Sequence, residues 1–328
     1  MSLLWACVLA ALSLPPQLDE ARFRRESAAT GPVLASGWPE SDVRWAIEAL
    51  PQALARCEAR FGRSLGRPFT TVLVPDRFEL ARVVERIAHG PPADRSALGV
   101  AIPSASTLVL RWDHVQGAES LRETLYHEVA HLVIHNDPAA SIPRWLDEGA
   151  AQWASKDALP RDALAYLSFL ARIDGLYPLA TLALRFPEAH ELSSVAYQQS
   201  FLFVAFIETK SSPRGVAEVL DLCARGKSAS AALEEVTHTS MAQLERDFRG
   251  YVSSRSTLAE VLRSVISIWT IMGLLALGAV IRYVYSRGRR LRALGPEDGQ
   301  GSASEEAVDP DAHPAEDGAH EARRSAEP

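Results

Sequence analysis

Cysteine is scarce: three residues in 328 cannot build a disulfide-dense scaffold. Lysine is scarce as well, since Lys156, Lys210 and Lys227 are the only lysines among 34 basic residues, a bias to which no function is attached. Glycine and proline, 19 and 20 residues, are too few for a collagen-like or wholly low-complexity chain. Positive charge is not in excess either. The 34 Lys+Arg against 41 Asp+Glu give a formal charge of -7, so the chain lacks a bulk electrostatic footprint for phosphate, and no nucleic-acid partner is expected. What remains is 47% hydrophobic and 23% charged, the composition of one large or two ordinary globular domains.

The acidity is local. Residues Gly295 to Pro328 carry ten acidic and two basic side chains (Arg323, Arg324), a net of -8, so everything before them is close to neutral. This tail has almost no large apolar residues and cannot bury enough surface to fold. At the other end, Leu3 to Leu14 is an uncharged apolar run of twelve residues followed by Pro15-Pro16. It is too short to span a bilayer and reads as a signal-peptide core over 1–16, with Ala11-Leu12-Ser13 as a small-x-small cleavage site. Cys7, behind the bulky Trp5, is poorly placed for a lipoprotein cysteine.

A second uncharged run, Val265 to Ile281, lies between Arg263 and Arg282. Its seventeen residues cover about 26 Å as a helix, and snorkelling of Arg282 extends it through Tyr285. A transmembrane helix is therefore expected at 264–285. The five arginines between 282 and 292 place the C-terminus in the cytoplasm by the positive-inside rule, with 286–328 as a basic flank and acidic tail. The protein is then expected at the cell membrane, anchored by one helix, with 17–256 as an extracytoplasmic domain. Cys57 and Cys223 fall in that domain, where they could pair or remain separate buried thiols.

Within 17–256 the first half predicts a helix over 41–61 opening after Pro39 with Ser41 as cap, a strand over 69–74, a helix over 77–88, and two short strands, 98–102 and 107–112. The second half predicts helices over 119–135, 143–154, 161–173, 193–209, 214–225, 231–237 and 240–254. A mixed sheet followed by a helical part is an α+β arrangement.

The chemistry concentrates in Leu125-Tyr126-His127-Glu128-Val129-Ala130-His131-Leu132-Val133. Residues four apart share a helix face, so His127 and His131 can offer two imidazoles to one metal ion, and Glu128 can act as a general base. A tetrahedral catalytic zinc needs a third protein ligand. Glu148 offers it, at the start of a second helix reached by the turn at Asn136-Asp137-Pro138. His135 lies one turn further along the stripe and is assigned a capping or surface role; Asp147, adjacent to Glu148, faces differently and is assigned to solvent or a cap, with the ligand role as its alternative. The metzincin pattern is absent, because Ile134 and Asp137 occupy its Gly and His positions.

His127-Glu128-x-x-His131 together with Trp145-Leu146-Asp147-Glu148-Gly149-x-Ala151 resembles the gluzincin branch of the zincin metallopeptidases, the peptidase MA-like family. The likeness covers roughly residues 30 to 255, including Ala196-Tyr197-Gln198-Gln199-Ser200. It implies a zincin-like domain, one Zn2+ ion, and a peptide or protein substrate held in extended form on the free edge of the strand pair at 98–112. It also implies a catalytic donor to the oxyanion, for which Tyr197 is the candidate and His190 the alternative. Two positions depart from the family: Asp147 stands where Asn is common, and Gln152 stands where an acidic residue would orient a histidine ligand. The expected function is a membrane-anchored zinc metallopeptidase. The alternative is a non-hydrolytic zinc-binding sensor or scaffold, which would have no use for Glu128.

Overall fold

A computed structural model describes residues 22–88, 97–112, 118–137, 141–156, 158–211, 214–257 and 268–293. The segment expected to be a signal peptide and the acidic tail lie outside the described residues. The described chain divides into two compact units, one up to Ser267 and one from Ile268.

The first unit opens with a hairpin that the sequence did not signal, β1 (Arg24–Ala28) and β2 (Gly31–Ala35), antiparallel to one another. Next come helix α1 (Glu40–Phe61), β3 (Thr70–Val74), α2 (Arg77–Ala88), β4 (Gly99–Ile102) and β5 (Thr107–Arg111). The sheet order is β1-β2-β3-β5-β4, with β2, β3 and β5 parallel and β4 antiparallel to β5 at the edge. The central strands are short continuous apolar runs because both faces are covered. Alternation divides them: Val72, Val74 and Val109 point into a small cluster with Leu80, Val83 and Val84 of α2. Leu73, Leu108 and Leu110 point the other way into the main core.

Helix α1 begins at Glu40, and Ser41 lies in its first turn, bonded to Asp42 rather than capping. Its buried stripe, Val43, Ala46, Leu50, Ala53, Cys57 and Phe61, lies along α3 (Ala118–Ile134). The thiols of Cys57 and Cys223 are both free and buried, and Cys57 Sγ sits 3.6 Å from the Tyr126 carbonyl. The second half is helical: α4 (Arg144–Ser155), α5 (Arg161–Arg172), the short α6 (Leu179–Leu184), α7 (His190–Lys210), α8 (Gly215–Ala224), α9 (Ala229–Thr237) and α10 (Met241–Ser253). The α+β expectation holds, and α6 is an addition to it.

The second unit contains α11 (Ile268–Ala293). Here the expectation of a transmembrane helix at 264–285 finds no support. Residues 264–267 lie outside the described residues, and from Ile268 to Ile281 only about 21 Å of helix precedes Arg282, against a hydrocarbon core of roughly 30 Å. Among the described residues, no helix is long and apolar enough to cross a membrane.

Candidate active site

Helix α3 buries Leu125, Tyr126, Val129, Ala130, Leu132 and Val133 against α1 and the sheet. That leaves one stripe free, and Glu123, His127, His131 and His135 follow it at four-residue intervals along a cleft of about 1110 Å³. Helix α4 starts after Pro143, whose carbonyl accepts the amides of Leu146 and Asp147. It lies against α3 and, on its other side, very close to α7. Gly149 permits that approach: a Cβ there would sit 2.5 Å from the Ser200 carbonyl oxygen. At the far end of α4, guanidiniums of α1 satisfy terminal carbonyls, Arg56 on Ala154 at 2.7 Å and Arg60 on Trp153. The helix that carries Glu148 is thus fixed at both ends.

His127 Nε2 lies 3.1 Å from His131 Nε2, and Glu148 Oε2 lies 3.5 Å and 3.7 Å from these two nitrogens. Tetrahedral zinc with bonds near 2.0–2.1 Å requires its ligand atoms about 3.3 Å apart, so this triangle already has the size that the ion needs. Two neutral imidazoles and a carboxylate are also a donor set suited to zinc. The residues present fit the metal.

Asp147 is where the structure departs from the sequence reading. It is neither solvated nor a cap: its Oδ1 accepts from His131 Nδ1 at 2.8 Å and lies 3.0 Å from His135 Nε2. Asp147 therefore takes the orienting role expected of position 152, and His135 is drawn into the network instead of standing at the surface. Gln152 lines the cleft, but its Oε1 is buried without a hydrogen-bond partner. The clue in the sequence was the third histidine of the stripe, which extends α3 far enough for Asp147 to reach between two rings. His131, His135 and Asp147 form a second group compact enough to hold a metal, sharing His131 with the first.

Charge follows geometry. Burial disfavours the His131 cation, but the Asp147 carboxylate outweighs it by charge and hydrogen bond, with Glu148 and Glu128 adding, and raises the imidazole to about 10. Burial also opposes ionisation of Asp147, yet His131 and His135 together hold it far below the usual carboxylate range. Glu148 is lowered as well, against its own burial, by His127 and His131. In Glu128 burial wins: only 8% exposed, its carboxyl is pushed above the usual value despite the two histidines.

Glu128 reaches the sheet edge, where its Oε2 accepts the Ala101 amide of β4 at 2.8 Å. The Arg111 amide donates inward to the Leu98 carbonyl at 2.9 Å, so alternation turns the backbone groups of Gly99 and Ala101 outward over the cleft. β4 is thus an edge strand packed against α3. Gly99 is tight against Glu128, since a Cβ there would lie 2.7 Å from Glu128 Cγ. Tyr197 also lines the cleft, its ring 4.8 Å from that of Phe186 in an edge-to-face contact. The side chain of His190, at the start of α7, lies outside the described residues.

Among solved structures, the chain is similar to a mutant of a two-domain M1 zinc metallopeptidase bound to L-arginine, at 17% identity, covering 71% of this chain and 52% of that one, with a TM-score of 0.38. An M1 zinc metallopeptidase mutant from Deinococcus radiodurans gives the same identity and TM-score over 72% of this chain and 52% of that one. The chain spans about half the length of these proteins. No curated protein sequence matches it. The family model that does match is that of the Peptidase MA superfamily, over residues 93–254. That stretch, which holds β4, β5 and both helices of the cleft, is similar to the Peptidase MA superfamily.

Proposed function

We propose that this protein is a zinc-dependent metallopeptidase that hydrolyses peptide bonds, with His127, His131 and Glu148 holding one zinc ion and Glu128 as the general base. The observation that carries the reading is the triangle of three donor atoms 3.1 to 3.7 Å apart, with a buried carboxylate beside it and a free strand edge above it. Zinc, when bound, supplies Lewis acidity that polarises a carbonyl and acidifies water. Glu128 takes the proton from the attacking water and delivers it to the leaving amine. Its raised proton affinity suits a group that must carry a proton and release it again. The Ala101 amide fixes one carboxylate oxygen and leaves the other to accept that proton.

The outward backbone groups of Gly99 and the Ala101 carbonyl would pair with an extended peptide, the Ala101 amide staying on Glu128, and the Tyr197 hydroxyl would donate to the oxyanion. A binding-only domain would gain nothing from Glu128, whose burial as an anion costs stability. Placement outside the cytoplasm on a membrane tether is part of the proposal; no described helix supports it, and it rests on the sequence alone, the uncharged run Val265 to Ile281 that begins outside the described residues and the arginines that follow. Removing metal with a chelator is expected to abolish cleavage of a peptide library, and one equivalent of zinc to restore it. Undiminished cleavage by metal-free protein would contradict the reading.

A further inference from the structure

Beyond the ligand triangle the cleft continues along the α3–α4 hairpin, and one end of it is chemically distinct. Lys156, the residue that closes α4, lines this end with Gln152, Ser155, Glu123 and Tyr197. Its ammonium lies 5.5 Å from the centre of the Phe201 ring on α7 and is half-buried. Among the described residues, no carboxylate is within ion-pair distance of it. Among the described residues, the acidic neighbour that acts on it is Glu123, across the cleft on α3 and further away. Burial consequently lowers the proton affinity of the amine. A half-buried cation without a counter-ion is costly, and an anion arriving in the cleft would relieve that cost.

One turn earlier on the same face, Gln152 presents the buried, unpartnered Oε1 already described. That atom calls for an N–H donor. A residue of an extended peptide supplies both needs at once, an amide N–H and a carboxylate a few ångströms apart, whereas an inorganic anion supplies only the second. Lys156 is eight residues beyond Glu148, about 12 Å along the helix. At roughly 3.3 Å per extended residue, this reaches three or four residues from the cleaved bond.

We propose that Lys156, with Gln152, forms a subsite for a carboxylate of the substrate, either an Asp or Glu side chain or the peptide C-terminus, and so gives the enzyme a preference for peptides that carry a negative charge three or four residues from the scissile bond. The proposal rests on the metallopeptidase reading for its substrate, but the recognition can be measured apart from cleavage.

The test uses the full chain loaded with zinc and three sets of peptides: C-terminally amidated with Glu or Gln varied at those positions, free-acid without acidic side chains, and amidated without acidic side chains. Cleavage is followed in the wild type, and binding by fluorescence anisotropy in Glu128→Gln, which leaves the peptides intact. The expected result is at least a tenfold preference for one carboxylate source over its amide, equivalent to 1.4 kcal/mol. That ratio should fall to near one in Lys156→Met and persist in Lys156→Arg. The Glu/Gln pair and the acid/amide pair tell a side-chain carboxylate from a C-terminal one. A wild-type ratio near one, or an undiminished ratio in Lys156→Met, overturns the subsite and leaves the peptidase reading intact if cleavage occurs. Selective binding without cleavage would leave the subsite standing and remove the peptidase reading. No binding and no cleavage would remove both.

Discussion

At the scale of single residues, the site is a contest between burial and pairing, settled differently for each carboxylate. Glu128 is buried and raised, so the metal-free protein is favoured with it protonated: that contribution is present below the usual glutamate value of 4.5 and is lost as pH rises through the higher folded value. Glu128→Gln should therefore stabilise metal-free protein at pH 7 by about 1–2 kcal/mol, and the gain should vanish near pH 4, as read by urea unfolding at the two pH values. The His131–Asp147 pair has both signs. Asp147 contributes stability above 3.8 that is lost as pH falls through its depressed folded value; His131 contributes stability below 6.5 that is lost as pH rises through about 10. At neutral pH, protonated His131 donates to Asp147 from Nδ1 and to His127 from Nε2. Zinc must displace the second proton, so calorimetry in buffers of different ionisation enthalpy should report about one proton released per zinc at pH 7.5. Asp147→Asn should reduce that number and weaken zinc about 10- to 100-fold in competition with a chelator. That His127 and His131 share a face was legible in sequence because i, i+4 spacing on a helix fixes it. Asp147 was not, because a neighbour of a ligand reaches the second imidazole only through the angle at which α4 meets α3, and that angle is set by packing.

At the scale of elements, the cleft depends on how closely helices approach. Gly149 is the point at which α4 meets the backbone of α7, and no flexible side chain is there to yield. Gly149→Ala should cost about 1–3 kcal/mol in urea unfolding and shift Glu148 enough to weaken zinc, whereas an alanine at Gly250, with open space around it, should not. The strands β3 and β5 and most helices of the second half were legible from apolar runs and 3.6-residue periodicity. The β1–β2 hairpin was not: Arg-Arg-Glu-Ser-Ala has no apolar alternation, and its turn at Ala29-Thr30 lacks the usual Gly or Asn signal. Its pairing comes from β2, which is buried along its whole length beside β3. The short α6 escaped for a similar reason, six residues being less than two turns of periodicity.

At the scale of the whole molecule, the net charge of -7 belongs to the acidic tail and says little about the substrate, which the Arg67, Arg144 and Lys156 side chains lining the cleft address more directly. All the proposed ligands and the base lie in the first unit, with a core of their own. A chain ending at Thr257 should accordingly bind one zinc as tightly as the full chain, by the same competition assay; a large loss would show that the second unit contributes to the site. The central claim, that zinc and Glu128 together hydrolyse peptide bonds, is tested most directly by zinc content and peptide-library cleavage measured side by side in the wild type and Glu128→Gln. The account predicts one zinc per chain in both proteins and cleavage lower in the variant by a factor of at least 100. Full cleavage by zinc-loaded Glu128→Gln, or no zinc in the wild type, would contradict it.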